Sequence, residues 1–491
     1  MAYFNQTKVS ALSPVITKII CVLLVGCFFS LLYGALNHRP LFSDGAMWNA
    51  SFLAWSNFQR DTSLLRYSDL FMQLPGWLWL HLGGRPLSAV RINELVYSLH
   101  PFLSLLLSAW LLQRRRRLDL LVFPLMSFAA VTQTVIAVPY SLVPDILSLS
   151  WPFVILSTSS NLAANPKLRW LNALTLALLL LTLVLSHEAV VYLLATLTIL
   201  ELHKGRTQTH RFKWLPAVGY FALTLWLIYR IYTANRNVSI PFAQGLLDSW
   251  NAFEIFAVAT TTIFAVAALP FRNRLPARLI TSVLTTVCSV IFLLLHPPGS
   301  EDQVLWSVFA ARFLAVPLHC LFVILYYSNL NSAIRWTANE VVWRKLTFAI
   351  LLMLTLAVSL WNDINLNRDW NKTVTYVRER SAGAPGCKLM TDLDELARNS
   401  GSYDRRTFQI LSSIISTEAQ GQMGVILFHP GFRKKAPPFA QANPCCLLRK
   451  GLFSIFRDTP KIETNWNLDF TQVILATQSD TALQQSCAVT P

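Results

Sequence analysis

Nine ionisable residues in or beside apolar runs are the candidates for chemistry in this chain: Asp44, Arg91, Glu94, Asp145, His187, Glu188, Glu301, Asp302 and Arg312. By type they form a proton-moving and anion-holding set, since carboxylates and imidazole exchange protons and guanidinium groups grip phosphate oxygens in a fork. Each also has a plainer reading. Asp44, beside Gly45 in "LFSDGAMWNASF", also reads as a helix cap or a turn residue. His187 and Glu188 in "LSHEAV" also read as partners for the backbone of a tight turn. Arg312, inside the apolar "WSVFAARFLAVPL", also reads as a side chain that snorkels to an interface. Asp145 after Pro144 also reads as the acid that opens a helix, and Glu301 and Asp302 as solvated loop charges.

The elements that would position these groups follow from composition. Of 491 residues, 54% are hydrophobic and 13% charged, and mean hydropathy is +0.45, whereas a soluble domain carries about 25% charged residues. Several windows hold about 17–25 apolar residues with few charges, enough to cross a hydrocarbon core about 30 Å thick. The composition therefore describes a polytopic membrane protein whose first partner is the lipid bilayer. The net charge of +16 does not point to nucleic acid, because Lys and Arg gather in short segments between apolar runs. These are Arg114–Arg117, Lys204–Lys213, Arg272–Arg278 and Arg335–Lys345, and the positive-inside rule places them in the cytoplasm.

With that rule the first span covers about Ile16 to Leu36, the N-terminus is cytoplasmic and Asp44 is outside. Residues 37–90 form a long first outer loop with helix-like amphipathic pieces, and Ile92 to Leu112 returns to the Arg cluster. Spans at about 118–138 and 140–158 flank an outer turn, "VPYSLVPD". The apolar stretch from Trp170 to Leu202 is about 33 residues, near 50 Å as one helix, so it is two passes with the turn at His187 and Glu188. Further spans at about 214–232, 251–270, 279–296, 304–328 and 345–362 bring the count to about eleven.

The fold class expected is thus all-α and polytopic over residues 1–363, with an extracytoplasmic α+β domain over 364–491. "MGVILFHP" and "TQVILATQ" read as buried strands there. Cys387, Cys445, Cys446 and Cys487 also lie there, where disulfides suit an oxidising compartment. A zinc site is the weaker reading, for no His accompanies them at ligand spacing.

The run "YSDLFMQLPGWLWLHLGGRPLSAVRINELVYSLHPFLSLLLSAWLLQRRRR", residues 67–117, resembles the second-span region of the GT-C superfamily of integral-membrane glycosyltransferases. A Pro-aromatic segment, a Gly-Gly break, an Arg and a span closed by cytoplasmic Arg residues follow one another in that order. "FSDG" resembles the family's acidic first outer loop, and "VPD" before Trp151 its second acidic position. The resemblance covers about residues 15–200 and extends to the aminoarabinose- and mannosyl-transferase-like members.

The resemblance implies transfer of a hexose or pentose from a polyprenyl-phosphate donor to a glycan, glycolipid or protein acceptor of the cell envelope. The expected location is the outer, periplasmic face of a bacterial cytoplasmic membrane. Asp44 takes the role of general base, Arg312 that of donor-phosphate ligand with Arg91 as second choice, and His187 that of a further phosphate contact. Asp145 and Glu188 contact the acceptor or orient the arginine. The polyprenyl-phosphate sugar is a substrate, and no cofactor is implied. Gly45 stands where the family often has a second acid, which favours a metal-independent reaction, and direct displacement at the anomeric carbon, with no second carboxylate placed for a covalent intermediate, would invert its configuration.

Two other enzyme or carrier classes share parts of this pattern. A polysaccharide polymerase or ligase would be expected to carry its arginines in a large mid-chain loop, whereas the largest loop here is the first. A secondary transporter would show inverted repeats and midplane charges. A non-catalytic scaffold of envelope assembly would tolerate Asp44→Asn. No nucleotide-binding glycine loop, Cys-x-x-Cys or His-Glu-x-x-His is present. Oligomeric state is left open by the sequence.

Overall fold

The computed structural model describes residues 14–41, 49, 69–129, 142–158, 166–185, 190–206, 214–235, 319–327, 330, 338–381, 386–389, 411–412, 414–415 and 425–428. These residues are overwhelmingly helical. α1 runs Pro14–Leu36, α2 Asp69–His81, α3 Pro86–Arg114, α4 Val122–Ser127, α5 Leu142–Ser157, α6 Pro166–Val184, α7 Val190–Arg206, α8 Leu215–Asn235 and α9 Ala338–Ser381. A further helical stretch covers 319–327. β1, Gly386–Leu389, pairs in parallel with β2, Val425–Phe428, in the register Gly386 opposite Val425. β2 is the centre of "MGVILFHP", while "TQVILATQ" and Cys445, Cys446 and Cys487 lie outside the described residues.

α1 packs on α3 and α9, α3 on α2 and α5, α5 on α6, and α7 on α8. One apolar core joins them through Cys27, Leu31, Leu112, Phe153, Leu197, Tyr326 and Leu356. Phe102 stacks against Phe28 at 5.4 Å and Phe128 at 5.8 Å, which ties α1, α3 and the end of α4. Large apolar side chains also lie on the outside of the described helices. Val15, Ile19, Val22, Phe29 and Tyr33 are exposed on α1, Leu103, Leu106 and Trp110 on α3, and Leu171, Leu174, Leu178 and Leu181 on α6. Among the described residues two helices, Val15–Leu36 and Leu87–Arg114, are long and apolar enough to cross a membrane.

The prolines show how these helices keep their bonds. Pro101 cannot donate to the carbonyl of Tyr97; the neighbouring His100 ring does so instead, Nδ1 to O at 2.9 Å. Pro86 sits in the first turn of α3, where a missing N–H costs nothing. It starts that helix six residues before Ile92, more than a turn and a half, so the first loop read as 37–90 already contains α2 and the opening of α3. The Trp170–Leu202 stretch does break into two helices, with α6 ending at Val184 and α7 starting at Val190. α9 runs without interruption past residue 363, where the sequence changes polarity. Its buried face continues as Asp363, Asn367, Trp370, Val374 and Val377, a spacing of three and four that holds one stripe against a neighbour.

Candidate functional site: the charged end of α1

α1 ends in a turn built for burial. Asn37 N–H bonds the Tyr33 carbonyl at 3.1 Å and His38 N–H that of Ala35 at 3.1 Å. His38 takes a left-handed conformation, φ 61°, a helix-ending geometry in which glycine is the usual residue. Its imidazole Nδ1 donates to Glu94 Oε1 of α3 at 2.9 Å, with both side chains buried. That bond offsets the backbone cost and directs the next residues inward, so that Arg39, Pro40 and Leu41 form a buried 3-10 turn.

Arg39 then meets α9. Its Nη1 donates to Asp363 Oδ1 and, at 2.8 Å, to Asn367 Oδ1. Asn367 in turn donates from Nδ2 to Ser30 O at 2.9 Å and Ser30 Oγ at 3.0 Å on α1. Trp370 Nε1 donates to Asn37 O at 2.8 Å. The side chains of Arg39 and Asp363 are 4% and 1% exposed, so neither charge is accommodated by water and each depends on the other. Gly34 makes the approach feasible: a Cβ there would lie 2.7 Å from Asn367 Oδ1 and 3.2 Å from Arg39 Cδ. Asp363 Oδ2 has no hydrogen-bond partner among the described residues.

Arg91, the one predicted phosphate ligand whose side chain is described, sits at the same end. Its Nη1 donates to Leu36 O at 2.8 Å and reaches Glu94 Oε2 at 3.3 Å. It therefore closes the last turn of α1, as a cation suits a helix C-terminus. Among the described residues Arg39 and Arg91 oppose Asp363 and Glu94, a balanced set when the His38 imidazole that bonds Glu94 is neutral.

Of the other sequence candidates, Asp145 falls in the first turn of α5, which begins at Leu142. Asp44, His187, Glu188, Glu301, Asp302 and Arg312 lie outside the described residues. Asp44 is three residues on in sequence from Leu41, the last residue of the buried turn. Sequence reading passed over His38, Arg39, Asp363 and Asn367. One usable signal existed, the Asp363–Asn367–Trp370 stripe that prolongs an apolar span.

His319, seven residues beyond Arg312, was also passed over. It is buried between α4 and α5, with Nδ1 2.8 Å from Ser127 Oγ and Nε2 2.6 Å from Ser150 Oγ, and the Trp151 ring packs edge-on to it. Two hydroxyls, each able to donate or accept, satisfy either tautomer of a neutral ring. This is an internal cross-link of three helical segments. Among the described residues no three His, Cys, Asp or Glu side chains group as metal ligands.

Comparison with known proteins returns no matching family model, no matching curated protein and no matching solved structure.

Proposed function

We propose that the chain is a polytopic membrane glycosyltransferase of the GT-C type. It moves a sugar from a polyprenyl-phosphate donor to a glycan, lipid or protein acceptor at the outer face of a bacterial cytoplasmic membrane. The observation that carries this reading is the buried, charge-balanced seat formed by α1, α3 and α9 directly ahead of "FSDG". Three residues of chain reach at most about 11 Å, so Asp44 stays within that distance of the seat's last residue, Leu41.

The apolar outer surface supports the membrane part of the reading. Leucine, valine and aromatic side chains left exposed on α1, α3 and α6 gain a matching solvent in lipid, and a helix apolar all round suits a span. About eleven spans, a cytoplasmic N-terminus and a periplasmic C-terminal α+β domain around β1 and β2 complete the topology.

In the reaction, Asp44 takes the proton of an acceptor hydroxyl as the oxygen attacks the anomeric carbon. The bond to the polyprenyl phosphate breaks with inversion, and the phosphate leaves with the electron pair. Arg312 receives the developing charge on that phosphate, and His187 adds a donor to it. Arg91, with Nη1 on the end of α1 and on Glu94, acts as a positioning residue for the loop. Asp145 and Glu188 orient the acceptor.

The test is transfer from a panel of polyprenyl-phosphate sugars to membrane extracts by the purified chain in detergent. Transfer with inverted anomeric configuration is expected from one donor class. Absence of transfer from every donor would overturn the assignment.

A further inference from the structure

The opposite end of the helices holds four consecutive arginines with four different fates, which α3's ending dictates. Arg116 adopts φ 55°, its N–H bonds Gln113 O at 2.9 Å and the N–H of Arg117 bonds Leu112 O at 2.9 Å. This is the paired-bond helix stop that usually takes glycine. It sends Arg114 up the helix face, where the guanidinium lies 4.2 Å over the Trp110 ring, and Arg117 onto Asp119 at 3.0 Å. Arg116 is left exposed.

Arg115 alone turns inward. Its Nη1 donates to Thr158 Oγ1 at 3.2 Å, and Thr158 in turn meets Tyr326 OH at 3.2 Å. Its Nη2 is buried and has no hydrogen-bond partner among the described residues. Among the described residues no carboxylate serves it: Asp119 is held by Arg117, and Glu201 by Lys204 at 3.3 Å and by the Tyr327 hydroxyl at 3.3 Å. Burial holds the Arg115 guanidinium below its usual value, opposed only by the Tyr326 hydroxyl. A half-buried cation with a spare donor and no counter-charge is a seat for an anion.

The surface beside it indicates which anion. Leu103, Leu106 and Trp110 are exposed at the spacing of one helical stripe, and Arg114 stands at its head. An acyl chain along the stripe with its head at the arginines fits this order of groups. We infer that the Arg114–Arg115 end of α3, its Arg115 side chain held by Thr158, binds the phosphate of an anionic phospholipid in the leaflet on the arginine side. The site is separate from the transferase seat and stabilises the packing of α3, α5 and the 319–327 helix.

The assignment rests on the membrane reading above. The test is native mass spectrometry of the full chain in detergent, titrated with phosphatidylglycerol or phosphatidylcholine, beside thermal melting with inorganic phosphate. The wild type is expected to retain phosphatidylglycerol about tenfold over phosphatidylcholine. Arg115→Gln is expected to erase that preference, and Arg116→Gln to keep it. Equal retention of both lipids by the wild type, or an unchanged preference in Arg115→Gln, overturns the site. Stabilisation by inorganic phosphate equal to that by phosphatidylglycerol overturns the lipid as its ligand. If Arg115→Gln does not fold, the wild type decides alone: its preference falls as salt rises, and a salt-independent preference overturns the proposal. A chain recovered in the aqueous fraction without detergent removes this inference and the membrane reading together. A chain that needs detergent yet retains both lipids equally removes only this inference.

Discussion

Where α1 ends, Arg39 and Arg91 face Asp363 and Glu94, and His38 closes the set. Where α3 ends, Arg114, Arg115 and Arg116 have no carboxylate among the described residues. Both ends contain buried guanidinium nitrogen, yet one is neutralised from within the chain and the other is not. An internally neutralised cluster is rigid, because removing any member strands a buried charge. A cluster without counter-charges takes its partner from outside, so it is tuned by lipid and salt. The first kind suits the seat of a site that must hold its geometry; the second suits an anchor.

This contrast breaks most sharply at Arg39. Arg39→Met should leave the Asp363 carboxylate buried without its cation and cost about 3–5 kcal/mol, read as a large drop in apparent melting temperature in detergent. The double change Arg39→Met with Asp363→Leu should recover most of that loss. If the single change is as stable as the wild type, the seat is not rigid in the sense argued here.

Two smaller changes probe the same end. Glu94→Gln keeps the shape but removes the charge that His38 and Arg91 share, at an expected cost of about 1–3 kcal/mol. Gly34→Ala puts a methyl 2.7 Å from Asn367 Oδ1 and should cost about 1–3 kcal/mol by pushing α9 away from α1. At the other end, Arg115→Gln should change the melting temperature little in neutral detergent, by no more than about 1 kcal/mol, with its effect visible only when anionic lipid is present.

What the sequence made legible is the local part of this picture. A 33-residue apolar stretch too long for one span divides where expected, between Val184 and Val190. The short apolar run in "MGVILFHP" is a strand at Val425–Phe428. Arg91 and Glu94 could be placed at one end of a helix from the polarity around them. The pairing of Arg39 with Asp363 joins residues 324 positions apart, and no local pattern announces it. Four identical arginines likewise look alike in sequence. Only the left-handed turn at Arg116 separates the inward one from its neighbours. His319 escaped notice because its partners are two serines on other helices, and serine in an apolar run carries no charge signal.

The proposed carboxylate, Asp44, lies three residues beyond the seat that ends at Leu41. Turnover and melting temperature measured together for the wild type and Asp44→Asn, with the polyprenyl-phosphate sugar that the panel identifies, decide its role. A fall in turnover of about 10²–10⁴-fold with the melting temperature unchanged is expected. Equal turnover in the two proteins would contradict it.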